Sequence, residues 1–244
     1  LRWHHPERGL ISPNDFLLVA EETGLIKDIG TWVLHEACKH ANLWPESLFV
    51  AVNLSPHQLS DDSVIETVDL ALKNSGLSPE RLELEITETA LMDDLEKIKW
   101  RLRQIKERGI SIAMDDFGTG YSSLSYLASF PFDKIKIDRS FVSNLGSRSE
   151  RASAIVRAIT SLADVLKMVV VAEGVEQPEQ HREAVQAGCG QVQGYLFGKP
   201  RPQAEIIEVF RASESVSHGS TLSTVDLYHS DQAWTALVSQ HGSI

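Results

Sequence analysis

Apolar residues recur along the chain with two periods, one typical of β-strands and one typical of amphipathic helices. Short apolar segments predict strands at 48–53, 82–86, 110–115, 133–138, 168–173 and 191–196. The stretches between them predict helices at 13–23, 26–44, 61–75, 92–108, 148–166 and 178–187, with a short one beginning near 202. Strands and helices therefore alternate over most of the chain.

Regular alternation of strand and helix favours parallel βαβ units. The strand Met168-Val-Val-Val-Ala172 is apolar on both faces, as expected for a strand that is covered on both sides. We predict a TIM-type (β/α) barrel, with an open doubly wound sheet as the alternative. No glycine-rich phosphate fingerprint follows a first strand, which disfavours the alternative.

Both ends of the chain differ from this pattern. Leu1-Arg-Trp3 resembles the end of a strand without a lead-in, so we expect a longer natural chain and a barrel that lacks its N-terminal strand or strands here. Residues 213–244 are serine-rich and contain no Lys or Arg, which predicts a tail outside a domain of residues 1–212. Within the tail, Asp226–Val238 could form a short helix.

Composition narrows the class of protein. The 244 residues are 42% hydrophobic and 23% charged, which is ordinary for a globular domain, and no apolar run is long enough to predict a membrane segment. A net charge of −11 disfavours a broad surface for DNA or RNA. Cys38 and Cys189 lie far apart in the sequence, which favours reduced thiols and a cytoplasmic location.

Every predicted strand carries a polar or charged residue at or near its carboxyl end. In a parallel barrel these carboxyl ends meet at the face where active sites lie. The residues at the strand ends are Asn53, Glu85, Asp115 with Asp116, Lys136 with Asp138, Glu173, and Gln193.

These side chains predict a metal site made of oxygen ligands. Carboxylate and amide oxygens favour Mg²⁺ or Mn²⁺, whereas zinc would prefer His or Cys. We expect two ions bridged by Asp115, a device for in-line displacement at phosphorus, with Lys136 orienting the water or offsetting charge. The paired glycines Gly118 and Gly120 predict a mobile loop beside the site.

Other interpretations of the same residues remain open. Asn53 could be a turn former, and Lys136 with Asp138 could belong to a solvated strand face. Lys136 could also be a Schiff-base lysine of an aldolase-like barrel, although neighbouring acids would hold it protonated.

Six separated motifs resemble those of the EAL-domain family, the bacterial phosphodiesterases that linearise cyclic di-GMP. The motifs are VAVNLS (50–55), LELEITE (82–88), DDFGTGYSSLSYL (115–127), KIKIDRSFV (134–142), VVAEGVE (170–176) and QGYLFGKP (193–200). The resemblance extends over residues 1 to about 212 and includes the segment that follows the Glu-Ala-Leu motif. That motif itself, whose glutamate is a metal ligand in the family, would lie before Leu1.

The resemblance implies a role for each matching residue. The metal ligands would be Asn53, Glu85, Asp115, Asp116 and Glu173. Lys136 would lie at the catalytic water, and Glu176 and Gln193 would support that water or its metal. Glu88 would anchor the loop at 117–123, Arg2 would contact a substrate phosphate, and Asp138 would be a further acid in the pocket.

The resemblance also implies partners and a context. We expect cyclic di-GMP as the ligand, a homodimer formed near the loop at 117–127, and an upstream sensory or regulatory domain. The location would be the cytoplasm, either as a free protein or as part of a membrane-attached one. The alternative function is a catalytically impaired receptor for the same nucleotide, or a protein-interaction module.

Overall fold

The computed structural model describes residues 1–91, 94–118, 127, 129–146, 150–199, 205, 225–227 and 236–238. Its centre is a six-stranded, all-parallel sheet in which the strands lie side by side in chain order. The strands are β3 (Val50–Asn53), β4 (Leu82–Thr87), β5 (Ser111–Phe117), β6 (Lys134–Ile137), β7 (Val169–Ala172) and β8 (Gln191–Val192). The six predicted strands are confirmed, although the last is shorter than expected.

Two faces of very different polarity result from the two-residue period of the strands. On β4, Leu82, Leu84 and Ile86 join the apolar core beneath the helices, while Glu83 and Glu85 point to the opposite face and are also buried. Lys134 and Lys136 alternate in the same way with apolar neighbours on β6. The interior face of the sheet is therefore lined with paired charges, and the interpretation of Lys136 as part of a solvated face is wrong.

Among the described residues, helices connect most of the successive strands, as the alternation predicted. They are α1 (Pro13–Glu22), α2 (Ile26–Ala41), α3 (Pro56–Leu59), α4 (Val64–Ser75), α5 (Leu95–Glu107), α6 (Arg139–Val142), α7 (Glu150–Leu166) and α8 (Pro178–Gln186), with 3₁₀ turns at Pro79–Arg81 and Glu88–Leu91. Of the predicted helix near 202, only Glu205 is among the described residues, and it is helical.

Local chemistry explains where several helices begin and end. The second helix ends at Ala41 with Asn42 as its C-cap, three residues before its predicted end at residue 44. A capping box between Ser55 and Gln58 closes the start of α3. Gly76 ends α4 in the left-handed conformation, with a φ of 73°, which favours glycine.

The chain begins and ends with small antiparallel pairs outside the main sheet. Near the start, β1 (Trp3–His5) pairs with β2 (Gly9–Ile11), and the Trp3 ring packs edge-on against Phe16. Near the end, β9 (Val225–Leu227) pairs with β10 (Ala236–Val238). The short helix expected over 226–238 is therefore wrong at both of its ends, because an isolated helix of that length is marginal whereas two strands satisfy each other's backbone groups.

Candidate active site

A cavity of about 280 Å³ opens at the carboxyl ends of the central strands. It brings together many of the residues that the strand-end pattern selected, which confirms that these ends converge. Its lining is Asn53, Glu85, Asp115, Lys136, Arg139, Glu173, Gly174, Glu176, Gln193, Gly194 and Tyr195.

Lys136 lies at the centre of the acidic side chains. Its Nζ is 2.7 Å from Glu85 Oε1, 2.7 Å from Glu173 Oε1 and 3.1 Å from Asp115 Oδ1. The Lys136 and Glu85 side chains are almost fully buried, with 3% and 1% exposure. One ammonium therefore faces three carboxylates from three other strand ends in a site with little access to solvent.

This arrangement changes the proton affinity of Lys136, Glu85 and Glu173. Burial is the main reason that the pKa of Glu85 rises to about 7 and that of Glu173 to about 8, since the single lysine only partly offsets it. Burial alone would lower the pKa of Lys136, but the surrounding carboxylates outweigh it and raise that pKa well above its usual value. Lys136 is therefore protonated at neutral pH, which is incompatible with an amine nucleophile and removes the aldolase-like interpretation.

An irregularity in β5 directs two adjacent acids toward one site. The pairing of β5 with β6 shifts between Met114 and Phe117, and Asp116 adopts a φ of 53°. Ligand atoms of Asp115, Asp116 and Glu173 consequently lie within 4.8 Å of one another. The sequence predicted that the strand would end at these acids, but it continues to Phe117 and the bulge provides the turn.

The residues of the cavity fit divalent cations. Both carboxylate oxygens of Glu85 are buried, and neither accepts a well-aligned hydrogen bond from a described residue. Burial, followed by the charges of Asp115 and Asp138, raises the pKa of Asp116. One lysine cannot neutralise all of these acids, so a further cation would stabilise them, and the all-oxygen donor set matches hard ions such as Mg²⁺ or Mn²⁺.

A second cavity, of about 610 Å³, adjoins the first at Asn53. Arg2 and Asp116 both contribute to its lining, together with apolar residues of α1, α2 and β3. Arg2 therefore lies next to the acidic cavity but outside its lining, with its Nη1 donating a hydrogen bond to the Leu1 carbonyl oxygen at 3.1 Å.

Two further predicted residues occupy positions at the edge of the site. Asp138 is the N-cap of α6 and accepts a hydrogen bond from the backbone N–H of Ser140 at 2.9 Å. Glu88 is buried in the 3₁₀ turn that follows β4. Its expected contact with the loop at 117–123 falls largely outside the described residues and stays a prediction.

Several lining residues were not selected from the sequence. Arg139 and Tyr195 follow strand-end residues, and Gly174 and Gly194 bring the backbone close to its neighbours. A Cβ on Gly194 would lie 2.3 Å from both the backbone nitrogen and oxygen of Val175. Arg139 and Tyr195 could have been found from their positions, since Arg139 follows Asp138 by one residue and Tyr195 follows Gln193 by two.

The family model of the EAL domain matches residues 1–200. The chain belongs to the EAL domain family. This membership confirms the predicted TIM-type barrel architecture, of which the curled parallel sheet and its helices form a part.

Relatives and solved structures agree with the family model. An uncharacterized signaling protein from Caulobacter vibrioides is 54% identical over 202 residues, which are 83% of this chain and 25% of that protein. MucR of Pseudomonas aeruginosa, a bifunctional diguanylate cyclase/cyclic di-GMP phosphodiesterase, is 44% identical over 85% of this chain and 31% of its own length. The structure of the PaMucR phosphodiesterase in complex with c-di-GMP superposes with a TM-score of 0.76 at 43% identity and 81% coverage of both chains.

This EAL domain spans about a quarter to a third of the length of these curated relatives. Among its described helices, none combines the length and the apolar character that crossing a membrane requires.

Proposed function

We propose that this EAL domain is the catalytic part of a metal-dependent phosphodiesterase that hydrolyses cyclic di-GMP to linear pGpG. The observation that carries the proposal is the buried cluster of Glu85, Asp115 and Glu173 around Lys136 at the carboxyl ends of the strands. The complex of PaMucR with c-di-GMP supports the choice of nucleotide.

Five residues would hold two Mg²⁺ or Mn²⁺ ions, together with the upstream glutamate that the family motif implies. They are Asn53, Glu85, Asp115, Asp116 and Glu173. Two such ions, when bound, supply an activated water and neutralise charge on the phosphoryl oxygens during in-line displacement. Asp115 would be a central member of this ligand set, since its carboxylate lies beside those of Asp116 and Glu173.

Lys136 would act as a fixed positive charge and hydrogen-bond donor. It is protonated because three acids surround it, so it does not act as a general base at neutral pH. Its ammonium can orient the attacking water and offset the negative charge that develops on the phosphate.

Other polar groups around the cavity would complete the site. Gln193 is buried, and its Oε1 accepts no hydrogen bond from the described residues, so it can accept one from water. Glu176 also lines the cavity. Arg2 in the adjoining cavity would bind a substrate phosphate. Asp138 would be a further acid in the pocket, beside Asp116.

Calorimetry and product analysis on the full-length protein test this function together. We expect cyclic di-GMP to be bound and converted to pGpG in Mg²⁺ or Mn²⁺, and Asp115→Ala to abolish turnover and weaken metal binding. Tight binding without turnover in saturating metal would instead indicate the receptor function.

We also propose that the domain forms a homodimer through the surface near the loop at 117–127 and receives its signal from an upstream regulatory domain. The greater length of MucR supports the proposal of an upstream regulatory domain. Size-exclusion chromatography with light scattering tests the proposed homodimer, and a monomer at micromolar concentration would contradict it.

A further inference from the structure

A link between two loops on one wall of the acidic cavity involves a residue to which the proposed function assigns no role. Arg139 begins α6 directly after the end of β6, and its Nη2 lies 2.7 Å from Glu176 Oε1 in the loop after β7. Both side chains line the cavity. The pair therefore joins the strand end that supplies Lys136 to the loop that supplies Glu173 and Glu176.

The backbone of Glu176 is fixed by a separate contact. The buried side chain of Gln180 accepts hydrogen bonds through Oε1 from the backbone N–H groups of Glu176 at 2.7 Å and Gln177 at 2.9 Å. Its Nε2 donates to the Ser143 carbonyl oxygen at the end of α6, at 3.4 Å. The backbone of this loop is thus held by Gln180, while the Glu176 carboxylate contacts Arg139.

Arg139 is itself held in place by the loop. A Cβ on Gly174 would lie 2.4 Å from Arg139 Cγ and 2.8 Å from its Cβ, so the arginine stem occupies the space that the glycine leaves. Gly174 also has a φ of 68°, which favours glycine. The stem is therefore packed against backbone, and the guanidinium is directed toward Glu176.

The ion pair is too exposed to be a major source of stability. The side chains of Arg139 and Glu176 are 62% and 40% exposed, and ion pairs in such positions contribute little to folding. Residues that orient groups around a metal site have a much larger effect on activity, about 10–100-fold when they are removed. A contact of this kind at the cavity wall is better explained by positioning than by stabilisation.

We propose that Arg139 is a positioning residue that fixes the carboxylate of Glu176 toward the reacting water. The proposal rests on the proposed phosphodiesterase function and goes beyond it by assigning a new residue. Arg139 acts through Glu176, and its contribution disappears when Glu176 cannot accept the contact as a carboxylate.

A double-mutant cycle on the full-length protein tests this. We expect Arg139→Gln to lower kcat about 10-fold or more, with little change in KM and in thermal stability. In the Glu176→Gln background, the same substitution should cause no further loss. Arg182→Gln is the matched control, because Arg182 forms an exposed ion pair with Glu179 at 2.5 Å on α8, outside the cavity lining.

The outcomes separate this inference from the proposed function. An unchanged kcat in Arg139→Gln overturns the inference. An equal loss of kcat in the wild-type and Glu176→Gln backgrounds also overturns it, since Arg139 would then act independently of Glu176. A crystal structure of Arg139→Gln should show the Glu176 carboxylate turned away from the cavity, whether or not the protein hydrolyses cyclic di-GMP. An unmoved carboxylate would overturn the inference even where the wild-type protein is fully active.

Discussion

Lys136 and Glu85 form an almost completely buried ion pair, with Nζ 2.7 Å from Oε1, at the ends of two strands that are separated by β5. The same ammonium also contacts Asp115 and Glu173, so the lysine occupies the space between residues that we propose as metal ligands. If every group were ionised, these three acids and one lysine would carry a net charge of −2. Lys136 therefore compensates only part of the negative charge of these acids.

Removing this lysine should destabilise the metal-free protein in a pH-dependent way. Breaking a buried ion pair costs about 3–5 kcal/mol because it leaves uncompensated charge, so Lys136→Met should lower the free energy of unfolding by about 3 kcal/mol at pH 8. At pH 5 the loss should be smaller, because Glu85 and Glu173 then hold protons. Urea denaturation in a chelator measures both values.

The control for this variant is an exposed lysine in a similar contact. Lys27 lies 2.6 Å from Asp61 and its side chain is 49% exposed. Lys27→Met should change the free energy of unfolding by at most about 1 kcal/mol at either pH. Equal losses in the two variants would contradict the role assigned to Lys136.

Metal binding should release protons. The pKa values of about 7 for Glu85 and about 8 for Glu173 mean that part of the acid set is protonated at neutral pH, whereas ligation requires carboxylates. Apparent Mn²⁺ affinity should rise as pH increases from about 6 to 8 and then level off. Calorimetry at pH 7 in two buffers of different ionisation enthalpy counts the released protons, and a pH-independent affinity would contradict the assignment.

The metal-free protein should also lose stability as pH rises through the same range. Both carboxyl groups have folded-state pKa values above their ordinary value of 4.5, so between about pH 5 and 8 the folded state binds protons that the unfolded chain has released. The free energy of unfolding must then fall with increasing pH over that window. Saturating Mn²⁺ should remove this slope, and denaturation curves with and without metal provide the comparison.

A second buried ion pair lies on the same face of the sheet, two residues earlier on β4 and β6. Lys134 Nζ is 2.7 Å from Glu83 Oε2, which also accepts a hydrogen bond from the Ser111 hydroxyl at 2.8 Å. Lys134→Met should cost about 3 kcal/mol, because it leaves Glu83 charged and unpaired. The double variant Glu83→Gln with Lys134→Met should recover part of that loss, and a double variant less stable than Lys134→Met would contradict the assignment.

Close backbone approach at Gly194 should make this position intolerant of a side chain. A methyl group would lie 2.3 Å from backbone atoms of Val175, so Gly194→Ala should lower the free energy of unfolding by about 3 kcal/mol. It should also impair turnover by displacing the adjacent Gln193. Gly24→Ala is the control, since its Cβ would meet nothing within 4 Å and only its φ of 77° makes it unfavourable, by about 1 kcal/mol.

The strand-end residues could be predicted because a parallel barrel makes positions such as Glu85 and Glu173 coincide in space, whatever their separation in sequence. That Lys136 would lie among acids could be predicted in the same way, but which three carboxylates it contacts, and at what distances, depends on side-chain packing. The role of Arg139 was missed for a related reason, because its partner Glu176 lies in another loop. The placement of Arg2 in an adjoining cavity depends on α1 and α2, whose packing the apolar pattern does not specify.

The most direct test of the central claim is the fate of cyclic di-GMP incubated with the full-length protein and Mn²⁺ in ¹⁸O-labelled water. Our account predicts linear pGpG carrying a single ¹⁸O atom on its terminal phosphate, with product formation abolished by a chelator and by Asp115→Ala. Recovery of unlabelled, intact cyclic di-GMP from a protein that binds it in saturating Mn²⁺ would contradict the account.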